Sequence, residues 1–182
     1  MTPFAMEASA DALARARRGD EAAFEELMRM HERQVLRTAL RLLGRVEDAE
    51  DVAQEVFLRL YRNLCGFQAL AEIRPWLYRV TFNVCCDLGR RRFVAELPDE
   101  VAVEQTQESD VSLEQRRGLL AEALAYLPEK ERAAVVLREI EGLDTAQVAE
   151  ILGSTPVTVR TQVSTGRARL REIVARLERR KG

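Results

Sequence analysis

Residues 143–171, LDTAQVAEILGSTPVTVRTQVSTGRARLR, decide how this chain is read. Asp144 is placed to cap a helix, and Gln147 three residues on can return the bond, which is the spacing of a capping box. Val148, Ile151 and Leu152 then share one face, and Gly153 marks the stop. Thr155-Pro156 restarts the helix, because Thr caps free N–H groups and Pro suits the first helical position. Ala149, Gly153 and Val159 have helix-turn-helix spacing. The small residue lets two helices approach, glycine makes the turn, and Val159 with Val163 docks the second helix. Arg160, Thr161, Gln162, Ser164 and Thr165 are left outside, where a DNA major groove could receive them. An ordinary helical hairpin with a solvated basic face is the competing account.

Composition sets the frame around that stretch. The chain has 182 residues, 47% of them hydrophobic and 32% charged but only 5% aromatic, which suits compact helical domains. A net charge of −2 excludes a globally basic coat for nucleic acid. The charges are segregated, however. Residues 74–92 hold five Arg against one Asp, residues 155–182 hold eight Lys or Arg against two Glu, and residues 93–115 hold seven acids with no Lys or Arg. Three cysteines, Cys65, Cys85 and Cys86, form no CxxC pair and accompany one histidine, so no metal site or cofactor is expected. The odd cysteine count and the lack of a signal peptide or membrane-length apolar run point to a cytoplasmic protein with no membrane insertion.

Helical periodicity runs through the rest. A short helical stretch over 10–18 precedes a long helix with Phe24, Leu27, Met28, His31, Val35, Ala39, Leu42 and Leu43 on one stripe, closed by Gly44. His31 on that stripe reads as a packed structural residue. In the helix over 46–64, Val46, Ala49, Val52, Ala53, Val56, Phe57 and Leu60 share a buried arc, while Glu47, Asp48, Asp51, Glu55 and Arg59 share the opposite one. Leu58 lies in that acidic outward arc. It marks either a partner surface with an apolar centre and charged rim or a single exposed leucine of no consequence. The segment 65–72 is a loop. The helix over 73–91 buries Ile73, Leu77, Val80, Val84 and Leu88 and aligns Trp76, Arg79, Asn83, Asp87 and Arg90 opposite, with Arg91 next. Arg neutralises phosphate, Asn can pair with base edges and an aromatic ring can stack on an unpaired base. The alternative is a partly buried Trp76 with an Arg run that only complements the helix C-terminus.

The acidic stretch 93–111 contains Pro98 and has no sustained period, which predicts a flexible linker. Beyond it, Ser112 with Gln115 can cap a helix whose core face is Leu113, Leu119, Leu120, Leu124 and Leu127. Pro128 starts another helix, ended by Gly142, in which Ala134, Val135, Leu137 and Ile140 can pack on the helix-turn-helix. The expected architecture is all-α, two small helical domains at 10–92 and 112–182, with a tail at 1–9 and the linker at 93–111.

Three stretches in this order, EDAEDVAQEVFLRLY at 47–61, RPWLYRVTFNVCCDLGRRR at 74–92 and LPEKERAAVVLREIEGLDTAQVAEILGSTPVTVR at 127–160, resemble the bacterial RNA polymerase sigma factors of the extracytoplasmic-function (ECF) group of the sigma-70 family. The resemblance implies that the first domain is a sigma region 2 bundle and the second a sigma region 4 helix-turn-helix. It implies that Glu47, Asp51, Gln54, Glu55 and Leu58 bind core polymerase at the β′ clamp helices, with the β subunit also in the complex. It implies that Trp76, Arg79, Asn83, Asp87, Arg90 and Arg91, with the loop at 65–72, recognise and melt the −10 element as single-stranded DNA. Thr158, Arg160, Thr161, Gln162, Ser164, Thr165 and Arg167 would then read the −35 element in double-stranded promoter DNA. The same resemblance implies a non-enzymatic transcription initiation factor held in check by an anti-sigma factor, with the acidic linker threading the polymerase cleft.

Departures from the pattern carry their own expectations. Gln162 and Thr165 stand where similar proteins commonly carry basic residues, and Gly166 inside a helix costs about 1 kcal/mol relative to Ala. These predict a −35 contact weaker or differently specified than usual. Asn83 and Asp87 keep their places, but Phe82 and Cys86 make their neighbourhood unusual. The alternative class is a helix-turn-helix regulator not stably bound to polymerase, which would leave the polar and aromatic face at 76–91 unexplained.

Overall fold

The computed structural model describes residues 11–95 and 111–181, and every regular element among them is helical. A short helical segment over 11–16 leads into α1 (Glu21–Leu43). The Asp20 carboxylate caps α1 by accepting from the Ala23 N–H at 3.0 Å, and Gly44 ends it with φ 78°, a left-handed conformation glycine adopts without a Cβ penalty. α2 (Val46–Arg62) follows, then two 3-10 turns at Leu64–Gly66 and Leu70–Glu72, and α3 (Ile73–Ala95). The three helices pack on one another around Leu27, Val35, Val52, Val56, Leu60, Ile73 and Leu77, all buried at the stripes the periodicity predicts.

The second half consists of α4 (Val111–Ala125), α5 (Glu129–Val135) running into a π-helical turn at Val136–Ile140, α6 (Thr145–Leu152) and α7 (Pro156–Lys181). The capping box is present: Asp144 accepts from the Gln147 N–H at 2.8 Å, and the Gln147 side chain accepts from the Asp144 N–H at 3.0 Å. Gly153 takes φ 58°, and the Thr155 hydroxyl accepts from the Thr158 N–H at 3.1 Å. Val148 and Val159 are fully buried between α6 and α7. α7 is a single helix of 26 residues, about 39 Å long at ~1.5 Å per residue. Its first turns belong to the helix-turn-helix. Its last turns bring Ile173 and Leu177 into the main core, against α4 and α5.

Both expected helical units are present, and their cores meet. Ala123, Leu124, Leu127, Val136, Ile173 and Leu177 belong to the same apolar cluster as the core of the first three helices. Tyr78 leaves its own bundle for a second cluster with Ala134, Leu137, Leu143, Val148 and Val159. The expected tail at 1–9 and most of the expected linker, residues 96–110, lie outside the described residues, as do the side chains of Arg91 and of the expected cap Ser112–Gln115. Helix α3 runs four residues further than the periodicity suggested, to Ala95.

Four assignments are corrected, Val46 first: expected in the buried arc of α2, it is exposed at the start of that helix. Asp48, expected in the outward arc of α2, is 4% exposed and lines the same cleft as Glu129 and Arg132 of the second half. Leu120, expected in the core, is exposed. Gly166, expected only as a weak point, is buried where α7 crosses α5: a Cβ built there would lie 2.8 Å from Val135 Cγ2 and 3.4 Å from Glu131 Cβ. Glycine is what permits the close crossing. Gly166→Ala gains about 1 kcal/mol of helix propensity, but it drives a methyl into a β-branched side chain with few rotamers, at a cost of roughly 1–3 kcal/mol. Thermal melting followed by circular dichroism should show a lower Tm for this variant; a higher Tm would mean that the crossing can relax.

Candidate DNA and polymerase contact surfaces

The outward face of α2 is built by its own period. Burial of Val52, Val56 and Leu60 against α1 and α3 turns Glu47, Asp51, Gln54 and Leu58 to solvent, with Glu55 half-buried beside Arg59 at 2.7 Å. Leu58 is 43% exposed in the midst of this polar group. All five residues expected to contact polymerase therefore share one accessible face.

The face of α3 is less open. Ile73, Leu77, Val80 and Val84 anchor it to the bundle, and the Trp76 ring packs edge-on against buried Phe67 at 5.3 Å, so only part of the indole is available for stacking. Phe67 sits between the two 3-10 turns, and the loop is braced by the Gln68 N–H donating to Glu72 Oε2 at 2.9 Å. Asn83 is exposed. Asp87 is engaged by Arg90, and the Arg79 guanidinium lies 3.5 Å from Glu150 of α6. An arginine expected to meet −10 DNA is thus already close to an acid of the helix-turn-helix.

That approach belongs to a larger polar contact between the halves. The Glu141 carboxylate, from the turn before α6, accepts from Arg41 of α1 on one oxygen and from the Tyr78 hydroxyl at 3.0 Å on the other. Arg74 stacks its guanidinium 5.7 Å from the Tyr78 ring centroid. Burial raises the Tyr78 phenol above its ordinary range. Nearby, the Arg132 guanidinium donates to the Leu42 carbonyl at 2.8 Å, joining α5 to the end of α1, and its burial lowers its pKa. Sequence periodicity missed Tyr78 and Glu141 because each faces away from its own helical bundle.

Between the halves lies a cleft of about 540 Å³ lined by Asp48, Phe82, Cys85, Cys86, Glu129 and Arg132. Burial raises the Cys85 thiol well above its usual range, and burial with the Glu129 carboxylate pushes Cys86 up to about 12. Cys65 is exposed. His31 lies half-buried on the α1 stripe, and burial followed by Arg74 lowers its pKa. Among the described residues no group of His, Cys, Asp or Glu is placed to hold a metal ion, and no helix is long and apolar enough to cross a membrane.

On the helix-turn-helix, Thr158, Arg160, Thr161, Ser164 and Arg167 are exposed, as expected. Gln162 and Thr165 are not fully outward. Both are half-buried on the flank of α7, and Gln162 Oε1 is shielded from solvent without a hydrogen-bond partner.

Comparison with known proteins agrees with this geometry. Residues 27–93 match sigma-70 region 2 and residues 117–170 match sigma-70 region 4. The chain is similar to the ECF RNA polymerase sigma factor SigE of Mycolicibacterium smegmatis, 39% identical over 87% of this chain and 65% of that protein, so it spans just under two thirds of SigE. It is also similar to the ECF RNA polymerase sigma factor SigW of Bacillus subtilis, at 30% identity over 86% of this chain and 91% of that one. Among solved structures, CnrH in complex with the cytosolic domain of CnrY aligns over 92% of this chain and 97% of that chain, with 26% identity and a TM-score of 0.65. The chain belongs to the ECF sigma factors of the sigma-70 family.

The thiolate is the nucleophile of a cysteine, and raised thiol pKa values keep Cys85 and Cys86 protonated across the physiological range. At pH 8, iodoacetamide should therefore label Cys65 in the native protein and reach Cys85 and Cys86 only after denaturation. Mass spectrometry showing equal labelling of all three in the native state would contradict the packing of the cleft.

Proposed function

We propose that this chain is the promoter-specificity subunit of a bacterial RNA polymerase, acting without catalytic chemistry of its own. In this reading the outward face of α2 binds core polymerase through Asp51, Gln54, Glu55 and Leu58, with Glu47 at its rim. Helix α3 takes the −10 element with Trp76, Arg79, Asn83, Asp87, Arg90 and Arg91, and the N-terminal turns of α7 take the −35 element. The domain limits at 10–92 and 112–182 follow the same division. The observation that carries the reading is Leu58, an exposed apolar side chain centred on an acidic helix face, in a chain whose two halves match regions 2 and 4 in order. An anti-sigma partner that covers the α2 face or the cleft between the halves fits this arrangement.

The reading places a geometric demand on the molecule. Elements named −10 and −35 are separated by about 25 base pairs, or ~85 Å at ~3.4 Å per pair. A compact chain of this length has a radius of gyration of about 16 Å, hence a diameter of roughly 40 Å. Packed together, the two halves cannot hold both elements. A segment the length of residues 96–110 can extend to about 50 Å, which with the width of the halves reaches the required span. Promoter binding therefore requires the contact around Glu141 to open.

Two measurements test the proposal. The full chain should co-purify with core polymerase and support transcription from a linear promoter, with Leu58→Ala weakening core binding by about tenfold. Absence of a complex with core would end the sigma reading. Glu141→Gln removes the charge that Arg41 and Tyr78 share, so small-angle scattering should give a larger radius of gyration for that variant, and an unchanged value would remove Glu141 from the opening step.

A further inference from the structure

Three carboxylates of the second half are set along α3. Glu141 accepts from the Tyr78 hydroxyl at 3.0 Å, and Arg74 reaches that hydroxyl at 3.4 Å. Glu150 of α6 lies 3.5 Å from the Arg79 guanidinium. Glu129, at the start of α5, accepts from the Cys86 thiol in the cleft that Arg90 also lines. Tyr78, Phe82 and Cys86 turn to the second half. At about 100° per residue, Trp76 and Asn83 lie beyond that side, and Arg79 and Arg90 fall on the border between the two. The Arg79–Glu150 pair is open to solvent, with side chains 46% and 75% exposed, so it adds little stability. Helix α6 is held instead by Val148 and Ile151, in the apolar cluster that also takes Tyr78. Glu150 is therefore carried to Arg79 by the core and not drawn there by charge.

We propose that the closed chain inhibits itself: Glu150 occupies Arg79 in place of a DNA phosphate, Glu141 and Glu129 extend that negative edge along α3, and the −10 face stays masked until the halves part. The proposal rests on the −10 role given to α3 above and adds its regulation. A strand laid over Trp76 and Asn83 brings its phosphates against Glu150 and finds Arg79 already neutralised. Closure and −10 DNA then exclude each other, and the exclusion is reciprocal. Whatever parts the halves raises affinity for the strand, and the strand favours parting by the same factor. The second half is thus a reader of DNA in the open chain and a stand-in for DNA in the closed one. Without polymerase, the chain is kept off stray single strands on which its basic helix would otherwise settle.

The probe is a fluorescein-labelled single-stranded oligonucleotide carrying the −10 sequence of a mapped promoter. Binding is read by anisotropy at low salt, where exposed charges are least screened. Without core, the full chain with Glu150→Gln should bind about fivefold more tightly than wild type, the upper range for an exposed ion pair. In an Arg79→Ala background the same change should bring no gain, because the pair is what withholds Arg79. No gain in the single variant would overturn the proposal. So would a gain that persists without Arg79, since it would be general repulsion between an acid and DNA. With core bound and the halves parted, Glu150→Gln and wild type should bind the oligonucleotide equally. A gain of the same size there would place the effect in the open chain and overturn the masking. The Glu150 side chain is exposed, so the variant keeps its fold, which circular dichroism checks. Polymerase carrying the wild-type chain that fails to take up the oligonucleotide would overturn the −10 reading itself, and the proposal with it.

Discussion

The Glu141 carboxylate is shared by two donors from the other half of the molecule, and the relation between the halves depends on that sharing. A carboxylate at 11% side-chain exposure is costly to desolvate, and Arg41 with Tyr78 offsets the cost only in the packed arrangement. Apolar burial around Tyr78 and across the continuous core supplies the adhesion. The polar contact supplies orientation, because no sliding of one half over the other keeps both Glu141 oxygens occupied. The adhesion can be strong while the alternatives to this one alignment stay poor. Such a contact suits the opening proposed above: it is ordered when closed and re-solvated readily when open, since Arg41 and Glu141 are both well hydrated in water.

Much of this architecture was legible in the sequence, because most of it obeys helical period and capping chemistry. Asp144 with Gln147, Gly153 and Thr155-Pro156 act within a few residues, and the structure places each as local chemistry requires. Leu58 was legible for the same reason, since a wheel places it among acids regardless of what else the chain does. The unreadable features are those that depend on a second element. Asp48 lies at a cleft that α5 helps to line, which no wheel of α2 contains. Tyr78 interrupts no pattern in α3 and acquires its role only when α6 and α7 arrive. Gly166 looks like a helix weakness until the methyl of Val135 is seen against it. Gln162 is half-buried on the flank of α7, where the neighbouring elements that shield it appear in no wheel of that helix.

Charge follows the same logic of local placement. A net charge of −2 gives no overall attraction for nucleic acid, yet residues 74–92 and 155–182 each carry a local excess of Lys and Arg that concentrates a positive field. The acids are gathered on α2, where the proposed partner is protein. Segregation lets one small chain present opposite signs to two kinds of surface.

The continuity of α7 has a mechanical consequence. Thr158 and Ile173 sit on one rigid rod some 22 Å apart at about 1.5 Å per residue, with Ile173 held in the main core and exposed Thr158 at an end that carries the docked α6 through buried Val159. A tilt of about 10° at the seated end sweeps Thr158 through roughly 4 Å, close to one base-pair step of ~3.4 Å. The rod is therefore a lever arm. In the proposed reading, packing around Ile173 and Leu177 would set the register in which the Thr158 end meets the groove, so that a core substitution there would shift which sequence is preferred without touching DNA.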